Sequence, residues 1–215
     1  MCRDIFFLKA TKTTRNSIPL AHKMAGRTCP LFIFSAHPST SPFAVSQEKY
    51  LSQRPDERFQ YVATAALVFD TRKGVDPRVL LLQRAAQDSM PNRWEVPGGA
   101  CDDEDESILH GLARELWEEA GLKATYIEPP LGEPHFFTSR SGKRICKFVF
   151  MVQVEQDTDG HLDVKLNPEE HRRFLWASQD EVKAKKVGDV ELDFTTQDLE
   201  NTLLQSFGYI KDRSG

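Results

Sequence analysis

Glu115, Glu118 and Glu119 stand close together in the run Arg114-Glu115-Leu116-Trp117-Glu118-Glu119-Ala120-Gly121-Leu122. On a helix, at roughly 100° per residue, they occupy one narrow arc. Leu109, Leu112, Ala113, Leu116 and Ala120 fall on an adjoining apolar arc suited to a core. Gly111 lies on the glutamate side one turn earlier and leaves that face open. Crowded carboxylates repel one another and resist ionisation. A hard divalent cation removes that cost. Mg²⁺ favours carboxylate oxygens and keeps positions free for water and substrate phosphates. The competing use of a Glu-rich helix is a plain solvated face, and the three glutamates alone do not decide between the two.

Upstream residues weigh for chemistry. Trp94-Glu95-Val96-Pro97-Gly98-Gly99 precedes Glu106, and Arg114-Glu115 follows eight positions later. The whole run resembles the box of the Nudix hydrolases, in which Gly, five residues, Glu and seven residues lead to Arg-Glu-aliphatic-any-Glu-Glu-any-Gly-aliphatic. Glu106 to Leu122 matches in spacing and type. Counting back from Glu106 puts Ala100 at the glycine position and Gly99 one place early, so an extra residue is expected in the acidic loop Cys101–Asp105. With the flanking elements, the resemblance covers about residues 60–207.

The resemblance implies an α/β fold, an α/β/α sandwich around a mixed sheet. It implies Glu115, Glu118 and Glu119 as ligands of Mg²⁺ or Mn²⁺, one of them also serving as base, with a main-chain carbonyl at Gly98 as a further ligand. Arg114 and Glu106 take supporting roles. Many family members draw another metal ligand or base from a later loop. Glu170 resembles that position, with Glu169 as substitute and an exposed acidic turn as the alternative. His171, His110 and His135 are read as ordinary polar histidines, because Mg²⁺ prefers oxygen.

The elements that must hold these residues can be read from pattern. Gln60–Asp70 and Arg78–Arg84 read as buried strands, with turn residues between them that suggest a hairpin. Arg93–Val96 is a short strand running into Pro97-Gly98-Gly99, where glycine allows a ligand close to the main chain. Trp94 is read as core or pocket wall. Ser107 is placed to cap the box helix and Gly121 to end it. Phe136-Phe137, Arg144–Val154 and Arg172–Trp176 are further strands. Ser178 and Glu181 form a capping box. Thr195 or Thr196 opens a last helix with Leu199, Leu203 and Phe207 on one face. Phe136 and Phe137 suit core packing, with base stacking as the alternative use. Arg140, Lys143, Arg144 and Lys147 are solvated turn and strand charges or phosphate contacts.

The chain has 215 residues, a net charge of −4 and a globular composition, 40% hydrophobic and 28% charged. These values give no general case for nucleic-acid binding. Cys2, Cys29, Cys101 and Cys146 show no CxxC pair, which fits a reducing compartment. No apolar run approaches the ~20 residues of a membrane span. Residues 1–46 read as a separate basic piece, carrying Arg3, Lys9, Lys12, Arg15, Lys23 and Arg27 against Asp4 alone. A disordered tail, a mitochondrial transit peptide and a later start at Met24 all fit, leaving cytoplasm or mitochondrion as the expected location. Residues 47–215 form the expected catalytic domain.

The expectation is a metal-dependent hydrolase that cleaves the diphosphate of a nucleoside diphosphate linked to another group. Its partner is a nucleotide-type small molecule, not a membrane. The rival is a Nudix-fold binding or regulatory module without turnover. The intact Arg-Glu-x-x-Glu-Glu core favours the enzyme, and the displaced glycine favours the rival.

Overall fold

A computed structural model of the chain describes residues 6–7, 30–72, 74, 76–139 and 141–214. In chain order the strands begin with β1 (Phe6–Phe7) and β2 (Ser35–Ala36). A 3-10 helix (Pro38–Phe43) and α1 (Gln47–Ser52) precede β3 (Tyr61–Leu67), β4 (Phe69–Asp70), β5 (Arg78–Arg84) and β6 (Trp94–Glu95). Next come α2 (Ile108–Ala120), β7 (Ala124–Pro130), β8 (His135–Thr138) and β9 (Arg144–Val154). The chain ends with β10 (His171–Ser178), α3 (Gln179–Ala184), β11 (Lys186–Val187), β12 (Val190–Glu191) and α4 (Gln197–Ser214).

Two sheets carry the fold. One runs β1-β2-β7-β9-β3 with β8 also on β9; the other runs β10-β5-β4 with β6 also on β5. The expected hairpin forms only in part. The Gln60–Asp70 run breaks at Val68. β3 leaves to pair in parallel with β9, and only β4 pairs antiparallel with β5. An apolar run buried on both faces supplies no alternation to show which strand it will join. β7 carries no clear strand signal in the sequence, because its end, Glu128-Pro129-Pro130, is poor strand sequence.

The period of two along the central strands divides the core into two layers. Val62, Ala66, Leu80, Leu82, Phe148 and Phe150 pack with Ile108, Leu109, Leu112 and Leu116 of α2. Ala65, Leu67, Val79, Leu81, Val149 and Met151 face the other way, onto Leu199, Leu203 and Phe207 of α4. The result is a mixed α/β/α sandwich. Trp94 is fully buried in the second layer, and its indole N–H donates to the Glu191 carbonyl at 3.0 Å.

The packed body begins before residue 47. Phe34, Ala36 and Phe43 are buried, and β2 pairs in parallel with β7. The Phe43 ring lies 4.8 Å from that of Phe148 and 5.2 Å from that of Phe150. Only three of the residues 34–43, Phe34, Ala36 and Phe43, are apolar apart from two prolines, so no periodicity marks them in the sequence. The tail and transit-peptide readings of the preceding residues fall largely outside the described chain. No helix among the described residues is long and apolar enough to cross a membrane.

Candidate active site

Local chemistry sets α2 in place as its sequence indicates. The Ser107 hydroxyl accepts from the His110 amide, and Gly121 ends the helix with φ +70°. The chain before it, Val96–Ala100, lies along β3. There the amide of Ala66 donates to the Pro97 carbonyl and that of Thr64 to the Gly99 carbonyl, both at 2.8 Å. Gly98, between them, turns its amide onto Glu119 Oε2 at 2.7 Å. Glycine is required here. Gly98 has φ +152°, and a Cβ would strike the Thr64 carbonyl and sit 2.6 Å from Ala65 Cα. A Cβ on Gly99 would lie 2.6 Å from the Glu115 carboxylate. The glycine pair therefore lets two helix carboxylates reach the main chain.

Arg114 ties the helix to the loop. Its Nε and Nη2 donate to Asp105 at 2.9 and 3.0 Å, Nη1 donates to Glu115 and Glu118 at 3.0 and 2.9 Å, and Nη2 also meets the Ala100 carbonyl. The support expected of Glu106 falls instead to Asp105. The Asp105 side chain is 7% exposed, whereas that of Glu106 is 60% exposed and among the described residues pairs with His110, at 3.6 Å. Asp105 also fills the face that Gly111 opens, where a Cβ would stand 2.6 Å from Asp105 Oδ2. Counted from Asp105, five residues separate it from Gly99, as in the family pattern. The extra residue thus lies after the acidic position, at the helix start, and Gly99 is in step.

The other side of the cluster comes from β10 and the turn before it. Glu119, Glu170 and His171 each offer a ligand atom, all within 4.8 Å of one another. Glu170 accepts from Asn167 Nδ2 at 2.8 Å. Glu169 is outside this group. His171, read from sequence as an ordinary polar residue, is buried, and its Nε2 lies 3.1 Å from Glu95 Oε1. Arg84 Nη1 reaches the same oxygen at 2.5 Å. Neither Glu95 nor His171 was legible as a site residue, because Glu95 approaches His171 only after β5, β6 and β10 assemble.

The electrostatics follow from burial. Burial, then the neighbouring charges of Glu95 and Glu115, hold the Glu119 carboxyl well above the usual range, against the opposing Gly98 amide. Burial also lifts Glu115 to about 7, with Arg114 opposing and Glu118 adding. Burial would raise Glu95, but the His171 hydrogen bond and the charges of Lys147 and Arg84 outweigh it and leave it lowered. A divalent cation fits such a donor set. It would be held by carboxylates that are costly to ionise without it, beside a buried His171 Nδ1 that has no hydrogen-bond partner among the described residues.

Beside the cluster is a cavity of about 410 Å³, lined by Glu95, Gly98, Gly99, Lys147, Phe136 and Phe137 among others. The two phenylalanines are not core. They are 57% and 44% exposed. Lys147 lies on the cavity wall, whereas Lys143 packs on Tyr61, with Nζ 4.0 Å from the ring centroid. Arg140 is outside the described residues.

Fold and site together define a sandwich whose carboxylate-bearing helix abuts a glycine loop at the edge of a cavity. The NUDIX domain model matches residues 60–197, and the chain belongs to the Nudix family. It is 31% identical over 106 residues to the CTP pyrophosphohydrolase of Escherichia coli, covering 49% of this chain and 70% of that one. It is 28% identical over 184 residues to human m7GpppN-mRNA hydrolase NUDT17, covering 78% of this chain but only 55% of that relative's length. Among solved structures, an Ap4A hydrolase of C. elegans shares the fold with a TM-score of 0.51 at 21% identity, covering 71% of this chain and 99% of that one.

Proposed function

We propose that the chain hydrolyses the diphosphate linkage of a nucleoside diphosphate joined to another group, with Mg²⁺ or Mn²⁺ as cofactor. One observation carries this reading. Gly98 and Gly99 line the cavity and also touch Glu119 and Glu115, so cavity and carboxylate cluster meet at one dipeptide. A nucleotide whose base lies against Phe136 and Phe137 would present its phosphates along the Gly98–Gly99 backbone toward the cluster.

Glu115, Glu118, Glu119 and Glu170 are assigned to the cation, with the Gly98 main chain beside them. The bound cation would neutralise phosphate charge and polarise phosphorus. Arg114 holds Glu115 and Glu118 in place, and Lys147 brings positive charge to the cavity wall. Relatives described as acting on CTP and on capped mRNA support a nucleotide substrate. The observation that favoured a binding module, the displaced glycine, lapses once Asp105 is the acidic residue of the box.

The test is a panel of nucleoside triphosphates, dinucleoside polyphosphates, nucleotide sugars and cap analogues, incubated with purified protein and Mg²⁺ or Mn²⁺, with products resolved by ³¹P NMR. Cleavage of a phosphoanhydride in at least one compound, abolished by EDTA, is expected. Tight binding of one compound with turnover of none would establish the binding module instead.

A further inference from the structure

His171 has no role in the proposed hydrolysis, yet it is a buried polar group beside the cluster. Its ring is buried, and Nε2 lies 3.1 Å from Glu95 Oε1. Glu95 is itself held by Arg84 at 2.5 Å. A carboxylate on one ring nitrogen fixes the proton there and leaves the other nitrogen with a free lone pair. That nitrogen, Nδ1, is buried and has no hydrogen-bond partner among the described residues. A buried lone pair without a donor costs free energy, so it signals a missing partner. The ring also stands within ligand reach of two carboxylates. One nitrogen of the His171 ring and a carboxylate oxygen each of Glu119 and Glu170 all lie within 4.8 Å of one another.

A carboxylate hydrogen-bonded to one imidazole nitrogen, with the lone pair of the other nitrogen left free, is the usual support of a metal-bound histidine. Resting on the proposed metal-dependent reading, we propose that His171 is a nitrogen ligand of the cation shared by Glu119 and Glu170. The site is therefore a mixed oxygen–nitrogen site that takes a first-row transition dication in preference to Mg²⁺. Mg²⁺ gains little from imidazole, whereas affinity for nitrogen rises from Mn²⁺ through Co²⁺. Arg84 and Glu95 then act as positioning residues that orient the ring.

The experiment uses the full chain, free of any histidine tag, loaded with Mn²⁺ alone and studied by pulsed electron paramagnetic resonance. A nitrogen coupling from directly bound imidazole is expected in the wild type. It should be lost in both His171→Gln and His171→Asn, which provide two chances of a folded variant. Glu95→Gln should keep the coupling and weaken Mn²⁺ binding by about 10–100-fold, the usual cost of removing such a support. Mn²⁺ bound without nitrogen coupling overturns the inference and leaves the hydrolase reading standing. Coupling that persists without His171 also overturns it. Failure of the wild type to bind Mn²⁺ overturns the inference, and failure to bind Mg²⁺ as well overturns the hydrolase reading.

Discussion

Arg114 grips Asp105 through two hydrogen bonds, Nε to Oδ1 at 2.9 Å and Nη2 to Oδ2 at 3.0 Å. This fork fixes the acidic loop to the helix that bears the cluster. Bidentate pairing of this kind also fixes the direction of the guanidinium, and so of the Nη1 that holds Glu115 and Glu118.

Asp105 and Glu106 should therefore behave differently although they are neighbours. Asp105→Ala leaves a mostly buried cation short of its main partner and should cost about 1–3 kcal/mol, with a matching loss of activity. Glu106→Ala, at an exposed position, should stay within about 0.5 kcal/mol of wild type. Urea denaturation of the two variants checks this. A larger loss from Glu106→Ala would restore the simple reading of the box.

Much of the site was legible because it is local. The arc of Glu115, Glu118 and Glu119, the Ser107 cap, the Gly121 stop and the Ser178–Glu181 capping box each depend on residues within a few positions. What was not legible is long-range. Asp105 replaces Glu106 because its carboxylate is the one that meets Arg114; counting back from the helix selects Glu106, and only the glycine end of the box selects Asp105. Phe136 and Phe137 are hydrophobic enough for a core, yet β8 lies at the edge of its sheet and leaves them open to the cavity. His171 meets Glu95 across 76 positions of sequence.

The N-terminal boundary has a measurable consequence. Phe43→Ala should cost about 3–5 kcal/mol, as for a large aromatic removed from a core. Removing residues 1–46 should be worse, because the Val45 carbonyl that accepts the Ile108 amide at 3.0 Å goes too. Thermal unfolding of both variants is the check. An unchanged midpoint in the truncated chain would return the boundary to residue 47.

The buried Glu115 carboxyl links stability to pH. Its folded pKa of about 7 lies above the unfolded value. Between the two, the folded state keeps a proton that the unfolded state has lost, so this contribution falls as pH rises through the window. Glu115→Gln has no such proton. With EDTA present, the stability of wild type relative to Glu115→Gln should fall from about pH 5 to pH 8 and then level off. A flat or rising difference would contradict the raised pKa.

Phe136 should serve binding rather than folding. Phe136→Ala should raise KM by the equivalent of about 1–3 kcal/mol of base stacking, with little change in kcat. The unfolding midpoint should barely move, because the ring is more than half exposed. A collapse of stability with unchanged KM would return Phe136 to a structural role.

The central claim is that the carboxylates of α2 hold the cation on which hydrolysis depends. Its most direct measurement is the rate of nucleotide cleavage against Mn²⁺ concentration for wild type, Glu115→Gln, Glu118→Gln and Glu119→Gln, with circular dichroism confirming each fold. All three variants should need more metal, and the one whose carboxylate also takes a proton should remain about 10²–10⁴-fold slower at saturating metal. Folded variants with wild-type rates and wild-type metal dependence would contradict the account.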